Sequence, residues 1–332
     1  MEPTAATVID WLLDADPSIR WQVMRNLLDA PADGVAAERA RVATEGWGAR
    51  LLALQGSHGR WAGEKAFFPL FTSTHFSLLI LRELGLEPDS PEAERAVALV
   101  REKDVRFEYD NEPYFQGEVE PCINGTVVAI GSYFGEDVRP IVDRLLGEQM
   151  DDGGWNCQQD NGSMRGSFDS TIHVLEGLLA FEQALDPPPE VTAARRRGEA
   201  YLLERRLLRR KSTGERIEPH FQYLFPRGRF TTLVSPTPRR LYDILRALDY
   251  FRAAGVEPDE RMREAVDLLV SKRDADGRWP VEFRYPGEYH FEMDDAAGQP
   301  SRWNTLRALR VLRWWEAGTS VSPAGRGSIH DA

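Results

Sequence analysis

Gln149 to Leu178 reads QMDDGGWNCQQDNGSMRGSFDSTIHVLEGL. Its first part, Gln149-x-x-x-Gly153-x-Trp155, is a tight glycine turn closed by a tryptophan. Asn156 to Arg165 is a polar loop. Ser167-Phe168-Asp169 then opens a helix in which Ile172, Leu175, Leu178 and Leu179 recur at helical spacing. The same order of parts occurs twice more. Gln55-x-x-x-Gly59-x-Trp61 precedes Thr72-Ser73-Thr74 and a helix from His75 to Leu84. Arg273-x-x-x-Gly277-x-Trp279 precedes Ser301 and a helix from Arg302 to Trp315. Units that recur in this way bury their apolar faces against one another, so the repeat constrains the whole architecture.

Outward from these turns, helices come in pairs. The first member is charged with one apolar stripe, over about 91–102, 137–149, 190–208 and 259–272. The second is more apolar and starts with small polar residues, over about 73–85, 122–134, 167–185, 238–254 and 301–316. A single stripe marks an outer helix, and apolar residues most of the way round mark a buried one. Two concentric rings of helices are therefore expected. Two short helices are expected within 6–30 and a third over 34–54, and strands are not. The long loops before the buried helices carry the aromatics, so function is expected at that end. The tail from Ser320 is polar and glycine-rich and reads as disordered.

Composition narrows the function. The 332 residues carry a net charge of -12, which argues against general nucleic-acid binding and against attraction to anionic membranes. Two cysteines do not make a disulfide framework, so a reducing cytoplasm is the simplest compartment. The N-terminus lacks the pattern of a signal peptide, and no apolar run reaches transmembrane length. Any membrane contact would be peripheral.

Three Q-x-x-x-G-x-W-like turns in register with alternating helices resemble the QW repeat of terpenoid cyclases and protein prenyltransferase β subunits, over roughly residues 34 to 317. The resemblance implies an all-α fold, an (α/α) toroid of five or six inner–outer pairs in one domain over 1–319, around an apolar cavity. It implies an isoprenoid or similar apolar substrate, cyclised or transferred. The family's D-x-D-D and D-D-x-x-D motifs are absent. The nearest carboxylate clusters are Asp14-x-Asp16, Asp151-Asp152 and Glu292-x-Asp294-Asp295. Asp151-Asp152 reads as a turn, whereas Asp294 lies near the expected mouth. Asp169, His173 and Asp294 are the catalytic candidates.

Phe115-Gln116-Gly117-Glu118-Val119-Glu120-Pro121-Cys122 is similar to the prenyltransferase segment from F-Q-G to D-x-C, with Glu120 in place of the aspartate. By that likeness Glu120, Cys122, Asp169 and His173 are expected to meet near the mouth as candidate zinc ligands. The segment is shorter than the family's, and Glu118 stands where its basic residues would be. A metal-free site, with Asp169 as an N-cap and Cys122 simply buried, is the competing expectation.

The substrate-binding candidates are Phe67, Phe71, His75, Phe115, Asn124, Phe168, Tyr242, Asp243, Trp303 and Asn304. N-capping accounts for the serines and threonines opening the buried helices but not for His75, Asn124, Asp243 or Asn304. Helix N-termini converging there would favour an anionic group, with Arg227, Arg229, Arg239, Arg240 and Arg302 adding charge. Arg195 to Arg197 and Arg205 to Lys211 read as a solvated outer face, or as a lipid or partner contact. Three functions stand side by side: an enzyme on an apolar substrate, a non-catalytic binder of one, and a scaffold for a protein partner.

Overall fold

The computed structural model describes residues 5–217, 241–293 and 296–320. Among these the chain is mostly helical. The helices are α1 (Ala5–Leu13), α2 (Pro17–Asn26), α3 (Ala32–Ala40), α4 (Gly46–Ala53), α5 (Thr74–Leu84), α6 (Pro91–Glu102), α7 (Pro121–Tyr133), α8 (Arg139–Gly147), α9 (Phe168–Ala184), α10 (Pro189–Glu204), α11 (Ile244–Ala253), α12 (Arg263–Ser271) and α13 (Arg302–Ser320). Strands β1 (Trp279–Pro280) and β2 (Pro300–Ser301) pair antiparallel, Trp279 opposite Ser301.

Burial separates the helices as their composition demands. In α5, α7 and α11 most residues are buried, and α9 buries 11 of its 17. Each of α6, α8 and α12 buries a single stripe, such as Ala93, Ala96, Val97 and Val100 in α6. The expected helix over 34–54 is two helices. Gly46 holds a φ of +62°, and a side chain there would strike the Asp16 carboxylate. That carboxylate caps α2 at Ser18 N and accepts from Trp47 N at 2.7 Å, so one acid ties both helix starts together.

The three tryptophan turns are superposable in their bonding. The indoles of Trp61, Trp155 and Trp279 donate to the carbonyls of Leu51, Leu145 and Leu269 at 2.6, 2.7 and 2.7 Å. Each carbonyl lies in the last turn of the preceding helix, where intrahelical donors run short; those of Leu51 and Leu269 also accept from Leu54 N and Lys272 N, at 3.1 and 3.2 Å. The Gln55 amide donates to the carbonyls of Gly59 and Ala96, and the Gln149 amide to those of Gly153 and Ala194. Each glutamine thus ties its turn to a later helix, α6 or α10. In the third turn Arg273 lies over the Trp279 ring instead, 5.5 Å from its centroid.

The closest helix pair is α7 with α9. A Cβ at Gly125 would sit 2.6 Å from the His173 backbone, and one at Gly177 would sit 2.4 Å from the Gly125 carbonyl. These two glycines let the backbones touch. α7 also packs on α5, and α13 packs on α11 and α2. Ion pairs link α11 to α9 (Arg246–Glu176), α13 to α11 (Arg310–Asp249) and α13 to α5 (Arg307–Glu83). Arg195 and Arg205, expected on a solvated face, are buried. Arg195 pairs with Glu182 and Glu199, and Arg205 with Asp152. The tail beyond Ser320 and Arg227, Arg229, Arg239 and Arg240 lie outside the described residues.

Candidate functional site

A cavity of about 250 Å³ opens at the N-terminal ends of α5, α7 and α9. Phe67, Phe68, Phe76, Leu79, Ile123 and Leu241 form its apolar walls. Glu118, Glu120, Cys122, Asp169 and His173 form a polar side, with His75, Thr126 and Glu108 between. The contact of α7 with α9 brings residues of the 118–126 segment against Asp169 and His173. The Glu108 carboxylate accepts from the backbone N–H groups of Phe67 and Phe68, at 3.0 and 2.7 Å, and so fixes the aromatic loop over the cavity. Phe68 and Tyr109 are exposed at its rim.

Glu118, noted in the sequence only as an acid where the prenyltransferase's basic residues would be, is part of the site. It is only 2% exposed. The Asn124 side chain brackets its backbone, accepting from Glu118 N at 2.7 Å and donating to Glu118 O at 2.6 Å. Gly117, at φ +93°, leaves room for that amide. Glu118 Oε2 accepts from Glu120 N at 2.7 Å, while Oε1 is shielded from solvent without a hydrogen-bond partner among the described residues. Burial raises its pKa and favours the protonated acid.

The two histidines are neutral for the same reason. Burial brings His75 down to about 3 and His173 down to about 4, the latter helped by the Arg246 guanidinium. His75 lies among Phe67, Phe76, Phe107 and Tyr114, with the Tyr114 hydroxyl 3.3 Å from Nδ1. In His173, Nδ1 donates to the Asp169 carbonyl at 2.7 Å, and Nε2 accepts from Arg246 Nη1 at 3.3 Å. Both ring nitrogens are therefore engaged, and a cation stands beside one of them.

Of the four candidate zinc ligands, the structure gathers two, and it adds Cys157. Ligand atoms of Glu120, Cys122 and Cys157 all lie within 4.8 Å of one another. The two sulfurs are 3.0 Å apart, and Cys122 Sγ is 3.4 Å from Glu120 Oε2. Asp169 and His173 are outside this group; Asp169 Oδ1 accepts from Tyr242 N at 2.8 Å. Two thiolates and a carboxylate suit a borderline-soft ion such as zinc, whereas an imidazole facing a guanidinium does not. The shared hydrogen bond raises Cys122 well above its ordinary value and lowers Cys157, so the pair gives up its first proton readily and its second with difficulty.

The remaining candidates divide between wall and core. Phe67 and His75 line the cavity. Phe71 stacks on Tyr289 at 4.9 Å, Phe115 packs edge-on to Tyr114, and Phe168 packs on Tyr242 at 4.9 Å. Trp303 stacks on Trp47. Aromatics of this size gain more by burying one another than by standing around an open space, so these positions fill the interior. Asn124 positions Glu118. Asp243 is an N-cap after all, accepting from Arg246 N at 2.8 Å, and Ser167 rather than Asp169 caps α9. Asn304 donates to the Pro280 carbonyl, and Arg302 lies over Trp11. Asp152 is a turn residue, accepting from Gly154 N and Gly166 N. Asp294 lies outside the described residues. Cys157 carried no sequence signal beyond being the second of two cysteines.

No family model and no curated protein matches the chain. Among solved structures, a protein from Actinoplanes is similar at a TM-score of 0.45 and 18% identity, over 93% of this chain and 99% of that one. Similarity at that level assigns neither fold nor activity. No helix among the described residues is long and apolar enough to cross a membrane.

Proposed function

We propose that the chain is an (α/α) toroid of the terpenoid cyclase and prenyltransferase β-subunit kind, and that it acts on a short isoprenoid or an apolar molecule of similar size. The ring reading is supported by the equivalent tryptophan turns. It is also supported by the order of contacts through α5, α7, α9, α11 and α13, which returns to α5 through Arg307 and Glu83. The pocket limits the ligand. A dry cavity of about 150 Å³ holds benzene, so 250 Å³ suits a molecule somewhat larger than one ring rather than a long polyprenyl chain.

The observation that carries the chemistry is Glu118. A buried carboxyl with one oxygen unpartnered, in the wall of a pocket also lined by Phe67 and Phe76, would serve as a proton donor to an apolar ligand. Positive charge developing on the substrate would meet the faces of those rings and the carboxylates on the opposite wall. Glu120, Cys122 and Cys157 would hold zinc, which supplies a Lewis acid when bound. The absence of D-x-D-D and the engaged ring nitrogens of His173 favour a second reading, a protein that binds such a ligand without transforming it.

The test incubates wild type and Glu118→Gln with geraniol and with geranyl diphosphate, measuring binding by calorimetry and products by gas chromatography–mass spectrometry. Product from the wild type alone, with binding intact in both, supports the acid. Binding without product in either leaves the non-catalytic reading, and binding in neither contradicts both.

A further inference from the structure

A second cavity, of about 350 Å³, lies towards the C-terminal ends of α5, α7, α9 and α11, against α2 and the middle of α13. Six arginines line it: Arg25, Arg39, Arg82, Arg252, Arg307 and Arg310. Among the described residues, three carboxylates face them: Glu83, Glu176 and Asp249. All three are already engaged: Glu176 takes Nε and Nη2 of Arg246, which is not one of the six, at 3.0 and 2.7 Å. Asp249 is shared between Arg252 and Arg310, and Glu83 takes Arg307 at 3.7 Å.

Arginines at helix C-termini ordinarily serve the helix by bonding its last carbonyls. Arg39, at the end of α3, does this for α5, donating to Gly85 O at 2.9 Å and to the Tyr133 hydroxyl. Arg25 and Arg82 do not. Arg25 contacts the Asn26 amide oxygen at 3.3 Å and lies 4.5 Å from the Trp21 ring centroid. Arg82 stands 5.9 Å from the Tyr133 centroid, its Nε shielded from solvent without a hydrogen-bond partner among the described residues. Burial, and then the charges of Arg310, Arg252 and Arg39, bring Arg25 down to about 10. In a chain of net charge -12, this is a concentration of positive charge in a concave, half-closed space. Such guanidinium groups are stabilised by an oxyanion, and their planar fork matches phosphate oxygens in pairs.

We propose that this cavity binds the phosphate group of a phosphorylated small molecule or of a lipid headgroup, with Arg82 and Arg25, neither of them paired with a carboxylate among the described residues, as its principal donors beside Arg39, Arg252 and Arg310. It is distinct from the pocket holding Glu118, and the inference does not depend on the reaction proposed there. Arg246 stands between the two, touching His173 of one and Glu176 of the other.

The experiment titrates the full chain with inorganic diphosphate at constant ionic strength, using chloride as the reference anion. In parallel it measures sedimentation with phosphatidylcholine vesicles with and without phosphatidic acid. Arg25→Gln and Arg82→Gln are expected to weaken binding on the order of tenfold or more each, with Arg82→Lys between them and the wild type. Both Gln variants should fold, since each relieves repulsion; thermal unfolding without ligand checks this. Diphosphate binding that needs Arg25 and Arg82 supports a soluble ligand. Binding only to phosphatidic acid vesicles, with the same dependence, supports the headgroup. Diphosphate bound no better than chloride together with no vesicle binding, or binding undiminished in both variants, overturns the proposal.

Discussion

Cys122 at the start of α7 and Cys157 in the loop before α9 place their sulfurs 3.0 Å apart, though 35 residues separate them in the chain. With Glu120 they make a donor set that excludes His173. We predict that protein freed of metal and titrated with zinc loses binding in Cys122→Ala and in Cys157→Ala, and retains it in His173→Gln. Elemental analysis after gel filtration reads this directly. Zinc lost in His173→Gln but kept in Cys157→Ala would return the site to the set implied by the prenyltransferase likeness.

The repeat was legible because its parts are local. A glycine at positive φ, a tryptophan two residues on and a glutamine four residues back meet within one turn, so spacing alone places them. The contrast between largely buried helices and helices with one buried stripe was legible for the same reason. What was not legible depends on contacts between distant segments. Gly125 and Gly177 look like interruptions of apolar helices, and only their meeting explains them. Asn124 reads as a polar residue facing a cavity, until it is seen bonding the Glu118 backbone. Glu118 itself looked like a misplaced charge. Phe71, Phe115, Phe168 and Trp303 have the composition of a cavity wall, and composition does not tell a wall from a filled interior.

The glutamine of the repeat carries a measurable share of stability. Gln149 Nε2 donates to Gly153 O and Ala194 O, and Gln149→Ala removes both bonds. A loss of about 1–3 kcal/mol is expected in urea unfolding. Gln55→Ala should cost a similar amount, because Gln55 bonds Gly59 and Ala96 in the same way. A change below the error of the measurement in both would show that the turn holds without its glutamine.

Acid should weaken the fold through its buried histidines. His173 is neutral in the native state down to about pH 4, and the unfolded chain protonates near 6.5. Between those values the unfolded state binds a proton that the native state does not, so stability falls as pH falls. His173→Gln removes that dependence. The stability of the wild type relative to this variant should drop by on the order of 2–3 kcal/mol from pH 6.5 to 4. His75, lowered to about 3, extends the window to lower pH. Parallel curves for wild type and His173→Gln would mean that the native state protonates His173.

The acid role of Glu118 has its own pH signature. A general acid works while protonated, and the pKa of Glu118 is raised by burial. Turnover should therefore be highest on the acid side and fall as pH rises through that raised value. Asn124→Ala, which releases the backbone of Glu118, should lower turnover more than it lowers ligand affinity. A rate that climbs through the same pH range would assign Glu118 to the opposite, basic role.

If the pocket between α5, α7 and α9 takes a small apolar ligand, as proposed, a calorimetric titration of wild type and Ile123→Trp with geraniol will show it. Ile123 is buried at the pocket wall, and an indole there occupies much of the 250 Å³. We expect saturable binding of one geraniol per chain in the wild type and its loss in a folded Ile123→Trp. Absence of binding to the wild type, or equal binding by both, would contradict it.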